Sequence, residues 1–219
     1  IRIIPSIEVS CEYQGHDIHI LGHFIDYKNE PLINKVKDFT EARNQRAQEI
    51  VDLLKKKANI NISFEKLKSK AGPGIIGRPH IAHELIENGY CINFDEAFSL
   101  YLSSDSDYYV PKKKIDTSDI FELISQAGGI PIWAHPGITE HDEFLPKFIN
   151  DGLKGIEVYH PAHLDSTKDR YINLAKKYNL FISGGSDFHS PFSKTDLGDL
   201  GLTKKQFEQL ETEYLKLTL

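Results

Sequence analysis

Apolar and polar positions alternate at the start of this chain, shift to helical spacing in its middle, and return to a regular mixture of both patterns afterwards. Residues 3–10 form a β-rich run in which Glu8 is set between Ile7 and Val9, and residues 16–25 form a second run after a Gln14-Gly15 turn. Successive side chains of a strand point to opposite sides, so Asp17, His19, Leu21 and His23 share one face while Ile18, Ile20, Gly22 and Phe24 share the other. From Pro31 the texture changes. Residues 32–57 are charged and periodic, with Ile33, Val36, Phe39 and later Ile50, Leu53 and Leu54 at the spacing of one helix face, and Asn61 or Ser63 caps the next short helix. After the Gly72-Pro73-Gly74 break, a helix starts at Arg78 with Pro79 in its first turn, and another covers residues 93–102. Ser103-Ser104-Asp105-Ser106-Asp107 reads as an acidic loop.

Regular alternation resumes at Thr117: a helix over 117–126, strand 130–134, helix 143–150, strand 155–159, helix 166–178, strand 180–183 and a terminal helix from 203. This βα repeat predicts an α/β fold built on a parallel sheet or barrel. The stretch 31–110 then reads as a helical insertion between two parts, 1–30 and 111–219, of one β-containing domain.

Composition narrows the function classes. With 26 basic and 32 acidic residues and a net charge of −6, the chain does not bind nucleic acid by bulk charge, so any phosphate site must be local. There is no apolar run of about 18 residues and no signal peptide, which predicts a cytoplasmic protein without a membrane anchor; no protein partner is expected. Cys11 and Cys91 are too far apart for a zinc ribbon and too few for a disulfide framework. The chain opens on Ile1-Arg2-Ile3-Ile4-Pro5, with a strand pattern already under way and no methionine anywhere, which predicts further sequence upstream.

The candidate chemistry gathers at strand ends. Ser183-Gly184-Gly185-Ser186-Asp187-Phe188-His189 closes an apolar run and sets Asp187 and His189 two residues apart, on one face if the backbone is extended. A second run stops on His135, followed at once by Pro136-Gly137. Glu8 is a carboxylate inside a strand and needs either water or a cation. His19 follows on the next strand, whereas His23, four residues on and roughly 13 Å away along extended chain, cannot serve the same ion. Glu8, His19, His135, Asp187 and His189 together make a mixed oxygen and imidazole set that suits zinc, manganese or iron.

Ser6-Ile7-Glu8-Val9-Ser10, the segment from His16 through Gly22, Gly77-Arg78-Pro79-His80-Ile81-Ala82, Ala134-His135-Pro136-Gly137, Gly155-Ile156-Glu157-Val158-Tyr159 and Gly184-Gly185-Ser186-Asp187-Phe188-His189 together resemble the PHP domain (polymerase and histidinol phosphatase). The resemblance covers nearly the whole chain and is nearest the stand-alone members with a helical insertion that act on nucleoside 3′,5′-bisphosphates or the 5′ ends of short RNAs. It implies a distorted (β/α)7 barrel of TIM-like type, N-terminally incomplete here, because the family's His-x-His strand and Asp-His motif would lie before Ile1. It implies up to three divalent metals, with Glu8 bridging two, His19 and His135 on the second, Asp187 on the first and His189 on the third. It also implies that Arg78 and His80 contact a substrate phosphate. The expected activity is metal-dependent hydrolysis of a phosphate ester, with Glu8, His135 and Asp187 at its centre. A histidinol-phosphate-type phosphatase and a catalytically incomplete metal- or phosphate-binding fragment are the alternatives. Arg43 and Arg46, at i and i+3, read as an ordinary charged helix face that extends the positive surface, and Lys112 to Lys114 as a solvated basic run. His160 and His163 are placed to approach the site from behind its ligands.

Overall fold

The computed structural model describes residues 2–72, 74–188 and 195–217. It divides into two units, one of residues 1–32 with 114–219 and one of residues 33–113. Among the described residues no helix is long and apolar enough to cross a membrane.

The first unit carries a sheet of strands β1 (Ser6–Tyr13), β2 (His16–His23), β3 (Ile130–Trp133), β4 (Gly155–Tyr159) and β5 (Phe181–Gly184), in that spatial order. The fold is mixed α/β, and so is the sheet. β1, β2 and β3 pair antiparallel, whereas β3, β4 and β5 pair parallel. The antiparallel start has a local cause. Gln14 (φ 51°) and Gly15 (φ 85°) are both left-handed, as a two-residue turn between twisted strands requires, so Tyr13 pairs with His16 across a tight hairpin. The parallel part needs crossovers, which are supplied by α7 (Leu145–Asp151), preceded by the one-turn α6 (Pro136–Thr139), and by α8 (Asp165–Tyr178).

Helix α5 (Thr117–Gln126) is capped by Asp116, whose Oδ1 accepts the Ser118 N–H at 2.9 Å. It buries Ile120, Phe121 and Ile124 and packs on β1, β2 and β3, where Ile18 and Ile20 are fully enclosed. Gly22 makes this approach possible: a Cβ there would stand 2.9 Å from Ile124 Cγ1. On the other face Ile130 and Ile132 pack with Leu21, Phe24, Phe181 and with Leu210 of the terminal helix α9 (Lys204–Leu217). β3 is thus sealed on both sides, which explains its unbroken apolar run. The polar positions Glu8 and His19 lie on the face that carries Leu21.

The second unit holds most of α1 (Glu30–Ala58), then α2 (Phe64–Ala71), α3 (Arg78–Glu87) and α4 (Phe94–Ala97), which runs on into a π-helical turn over Phe98–Leu102. Ile50, Leu54, Leu67, Ile81 and Leu85 form the centre of its core. Ser63 caps α2 and Asn93 caps α4, each accepting a backbone N–H. Glu84, on the buried side of α3, is met by Lys66 and Lys70 of α2.

Candidate metal centre

Register brings the first two ligand candidates together. Glu8 pairs with Leu21 and Ser10 with His19, so Glu8 and His19 are diagonal neighbours on one sheet face, within reach of each other's side chains. His135 arrives from the adjacent strand: the Ala134 N–H donates to the His19 carbonyl at 2.9 Å, and the chain then turns at His135. The result is a triangle. Glu8 Oε1 lies 2.8 Å from His19 Nδ1 and 3.4 Å from His135 Nε2, and the two nitrogens are 3.2 Å apart. Donor atoms held by a tetrahedral ion at 2.0–2.1 Å stand about 3.3 Å from one another, so these three atoms already sit near a ligand spacing. The donor set also fits. Two imidazole nitrogens and one carboxylate oxygen facing one point are donors that a divalent cation accepts, and this is the one group of three or more His, Cys, Asp or Glu side chains among the described residues with a metal-binding arrangement.

The electrostatics agree. Hydrogen bonds from His135 and His19, against the cost of burial, hold the Glu8 carboxyl well below the usual range. Burial works against charge on His135, but the hydrogen bond to Glu8 and the charges of Glu157, Glu8 and Asp187 outweigh it and raise its pKa. A site that keeps a carboxylate ionised and attracts positive charge to its imidazoles is one that a divalent ion can enter.

Two side chains hold His135 and the turn after it in place. Its backbone is left-handed (φ 30°, ψ 52°), a conformation that costs a non-glycine residue roughly 1–3 kcal/mol and must be enforced by its surroundings. Its N–H donates to Glu157 Oε2 at 2.8 Å. Glu157 points inward from β4 and is 7% exposed; burial, with the nearby charges of Glu8 and Asp187, pushes its carboxyl up to about 7 despite the N–H of His135 and the positive charge of that ring. His163 secures the turn that follows. Its Nδ1–H donates to the Val158 carbonyl at 2.8 Å while Nε2 accepts the Gly137 N–H at 3.1 Å, which fixes the neutral tautomer. The ring leaves no room for a side chain at 137, where a Cβ would meet His163 Cδ2 at 2.7 Å.

Asp187 stands beside this triangle and outside it. It follows β5 with φ 48°, so its own backbone is left-handed and not extended. Its Oδ2 is 3.5 Å from His160 Nε2, an ion-pair distance longer than a good hydrogen bond, and the His160 ring packs 5.1 Å from that of His135. Burial and the charge of His135 keep the His160 pKa low, although Asp187 opposes them. His189 lies outside the described residues. His23, excluded from the centre on distance, is engaged elsewhere, its Nδ1 2.9 Å from Ser6 Oγ.

The second unit positions Arg78 and His80. The Arg78 Nη1 donates to the Leu102 carbonyl at 2.8 Å, and its guanidinium lies 5.5 Å from the Phe98 ring centre. His80 Nδ1 accepts the Gly77 N–H at 3.1 Å, so its proton sits on Nε2. The sequence reading passed over Glu157. A signal was present, since Gly-Ile-Glu-Val-Tyr sets a single carboxylate among apolar neighbours just as the Glu8 strand does.

No family model matches the chain. It is 30% identical over 203 residues to the 5′-3′ exoribonuclease Rnm of Escherichia coli, covering 90% of this chain and 69% of that protein. It is 28% identical over 196 residues to the 3′,5′-nucleoside bisphosphate phosphatase of Chromobacterium violaceum, covering 87% and 69%. A solved structure described as a metal-dependent phosphoesterase from Bifidobacterium adolescentis superposes with a TM-score of 0.81 at 27% identity, covering 95% of this chain and 76% of that one.

Proposed function

From the premise that the chain belongs to the PHP-type phosphoesterases, metal-dependent hydrolases of phosphoric esters, we propose that it hydrolyses a phosphate ester of a nucleotide or of the end of a short nucleic acid, such as a nucleoside 3′,5′-bisphosphate or the 5′ end of a short RNA. The observation that carries this reading is the convergence of Glu8 Oε1, His19 Nδ1 and His135 Nε2, two strands and a turn remote in sequence, on one point.

Glu8, His19 and His135 would hold a divalent ion, with Asp187 and His189 as candidates for further ligation; manganese, zinc and iron all suit the donors. Such an ion, when bound, acidifies a water towards hydroxide near neutral pH and offsets charge on the phosphoryl oxygens. The chain's own residues do the rest. Glu157 and His163 hold the backbone at His135 and the turn that follows it, which fixes the point from which the ring reaches the site. Arg78 has five donors, of which one goes to Leu102, so its fork can grip a phosphate of the substrate with two parallel N–H bonds. His80 adds the Nε2–H. The same reading includes a distorted (β/α)7 barrel of TIM-like type, to which the five-stranded sheet would belong, and a cytoplasmic site of action.

The test is a substrate panel. With manganese present, a nucleoside 3′,5′-bisphosphate and a 5′-phosphorylated short RNA should be turned over and histidinol phosphate should not, and Glu8→Gln should lower kcat/KM by about a thousandfold. Turnover of histidinol phosphate alone, or undiminished activity in the Glu8 variant, defeats the proposal.

A further inference from the structure

Arg46 does not behave as a residue on a solvated helix face. Its Nε donates to the Val110 carbonyl at 2.6 Å, its guanidinium lies 5.6 Å from the Tyr109 ring centre, and its Nη2 is buried with no hydrogen-bond partner among the described residues. A cationic N–H withdrawn from water without an acceptor is costly, so the position calls for an anion or an ordered water. Further positive charge converges on it. Burial first, and then the charges of Arg78 and Arg43, lower its pKa, with Tyr109 opposing. Beside it a cavity of about 320 Å3 opens between α1 and the 110–113 segment, lined by Arg46, Gln45, Glu49, Pro111, Lys112 and Lys113. Three cations and one carboxylate face that space, and the carboxylate, Glu49, accepts a hydrogen bond from Gln45 Nε2 at 3.1 Å. In a chain of net charge −6, this is a local excess of positive charge around a concave surface. Tyr109, 36% exposed, adds an aromatic ring beside the Arg46 guanidinium. Cations beside an exposed aromatic ring are what a single nucleic-acid strand engages, its phosphates by charge and its bases by stacking.

We propose that this cavity is a second phosphate subsite, next to Arg78 in the helical unit, where Arg46 with Lys112 and Lys113 grips an internal phosphodiester of a short single-stranded RNA and Tyr109 offers its ring to the adjoining base. The proposal rests on the nucleotide phosphoesterase reading given above and deepens it. A mononucleotide would use the Arg78 contact alone, whereas a strand would use both.

Binding without turnover tests it. Fluorescence anisotropy with a 5′-phosphorylated, labelled RNA hexamer, measured in EDTA, should show the affinity of Arg46→Gln and of Lys112→Gln/Lys113→Gln reduced about tenfold, with the slope of log affinity against log salt shallower by about 0.7 for each contact removed. The same variants should weaken a nucleoside 3′,5′-bisphosphate at least about fivefold less. The lysine pair guards against misfolding of the Arg46 variant, since both lysines lie on the surface segment. Equal losses for the two ligands, or none, overturn the subsite. So does displacement of the hexamer by inorganic phosphate as efficiently as by unlabelled hexamer, which would mark a site for the free ion. Strand binding that depends on Arg46 in a protein that hydrolyses no phosphate ester would uphold the subsite and sink the reaction. Hydrolysis of the bisphosphate with strand affinity indifferent to both variants would do the reverse.

Discussion

Glu8, His19 and His23 show how much one residue's neighbours decide. The two histidines share a strand face, yet His19 meets a carboxylate and a second imidazole, whereas His23 is enclosed beside Ser6 and its pKa falls to about 4 through burial. This has a consequence for stability. An unfolded imidazole takes up its proton near pH 6.5, so the folded form with neutral His23 is fully favoured above that value and loses the advantage as pH falls towards 4. Urea unfolding at pH 7 and pH 4.5 should therefore show His23→Gln losing about 2 kcal/mol less over this interval than the unaltered protein. Parallel pH profiles would show that His23 is not buried in its neutral form. Asp187 teaches the opposite lesson about legibility. Its position after an apolar run was plain in the sequence, but its left-handed backbone was not, because one φ value depends on what the surrounding loop permits.

At the scale of elements, caps and breakers made boundaries readable. α5 runs from Thr117 to Gln126 as its pattern predicts, because Asp116 satisfies its first N–H groups and Gly128 (φ 73°) ends it. β1 is displaced from its expected 3–10 to Ser6–Tyr13, since pairing, rather than apolar content, sets its limits: Ser6 faces His23, the last residue of β2, and the hairpin extends pairing to Tyr13. What joins α2 to α3 was not readable at all. Glu84, with a side chain 1% exposed, accepts from Lys70 and lies 3.2 Å from Lys66, and Asn88 Nδ2 reaches its Oε2 at 3.3 Å. Glu87 meets the same lysines in the open, its side chain 49% exposed. Removing both lysines leaves the buried Glu84 carboxylate without its cations, whereas an exposed pair is screened. Chemical denaturation should thus find Lys66→Ala/Lys70→Ala destabilised by about 3 kcal/mol and Glu87→Ala by about 0.5 kcal/mol. Similar small losses in both would mean that the network holds nothing together.

For the molecule as a whole, the triangle of Glu8, His19 and His135 should couple metal binding to folding of the unit that contains it. An ion that binds only the native form adds about 2.7 kcal/mol at a hundred times its dissociation constant, which for a protein of this size raises Tm by about 5–10 °C. Scanning calorimetry with and without manganese or zinc should show that shift, and Glu8→Gln should abolish it. No shift with any divalent ion would mean that the three side chains form only a hydrogen-bonded cluster. The sequence by itself determined the order of strands and helices, the polar residues that interrupt apolar strands, and the motifs by which the family was recognised, because periodicity, caps and turn residues act over a few neighbouring positions. Only the tertiary structure decided that Glu8 and His19 stand diagonally across a hairpin, that Glu157 and His163 clamp a left-handed His135, and that Arg46 Nη2 is buried in a residue that lines a cavity. Those facts arise where residues 11 to 64 positions apart meet at distances of a few ångströms, and a linear pattern carries no measure of such meetings.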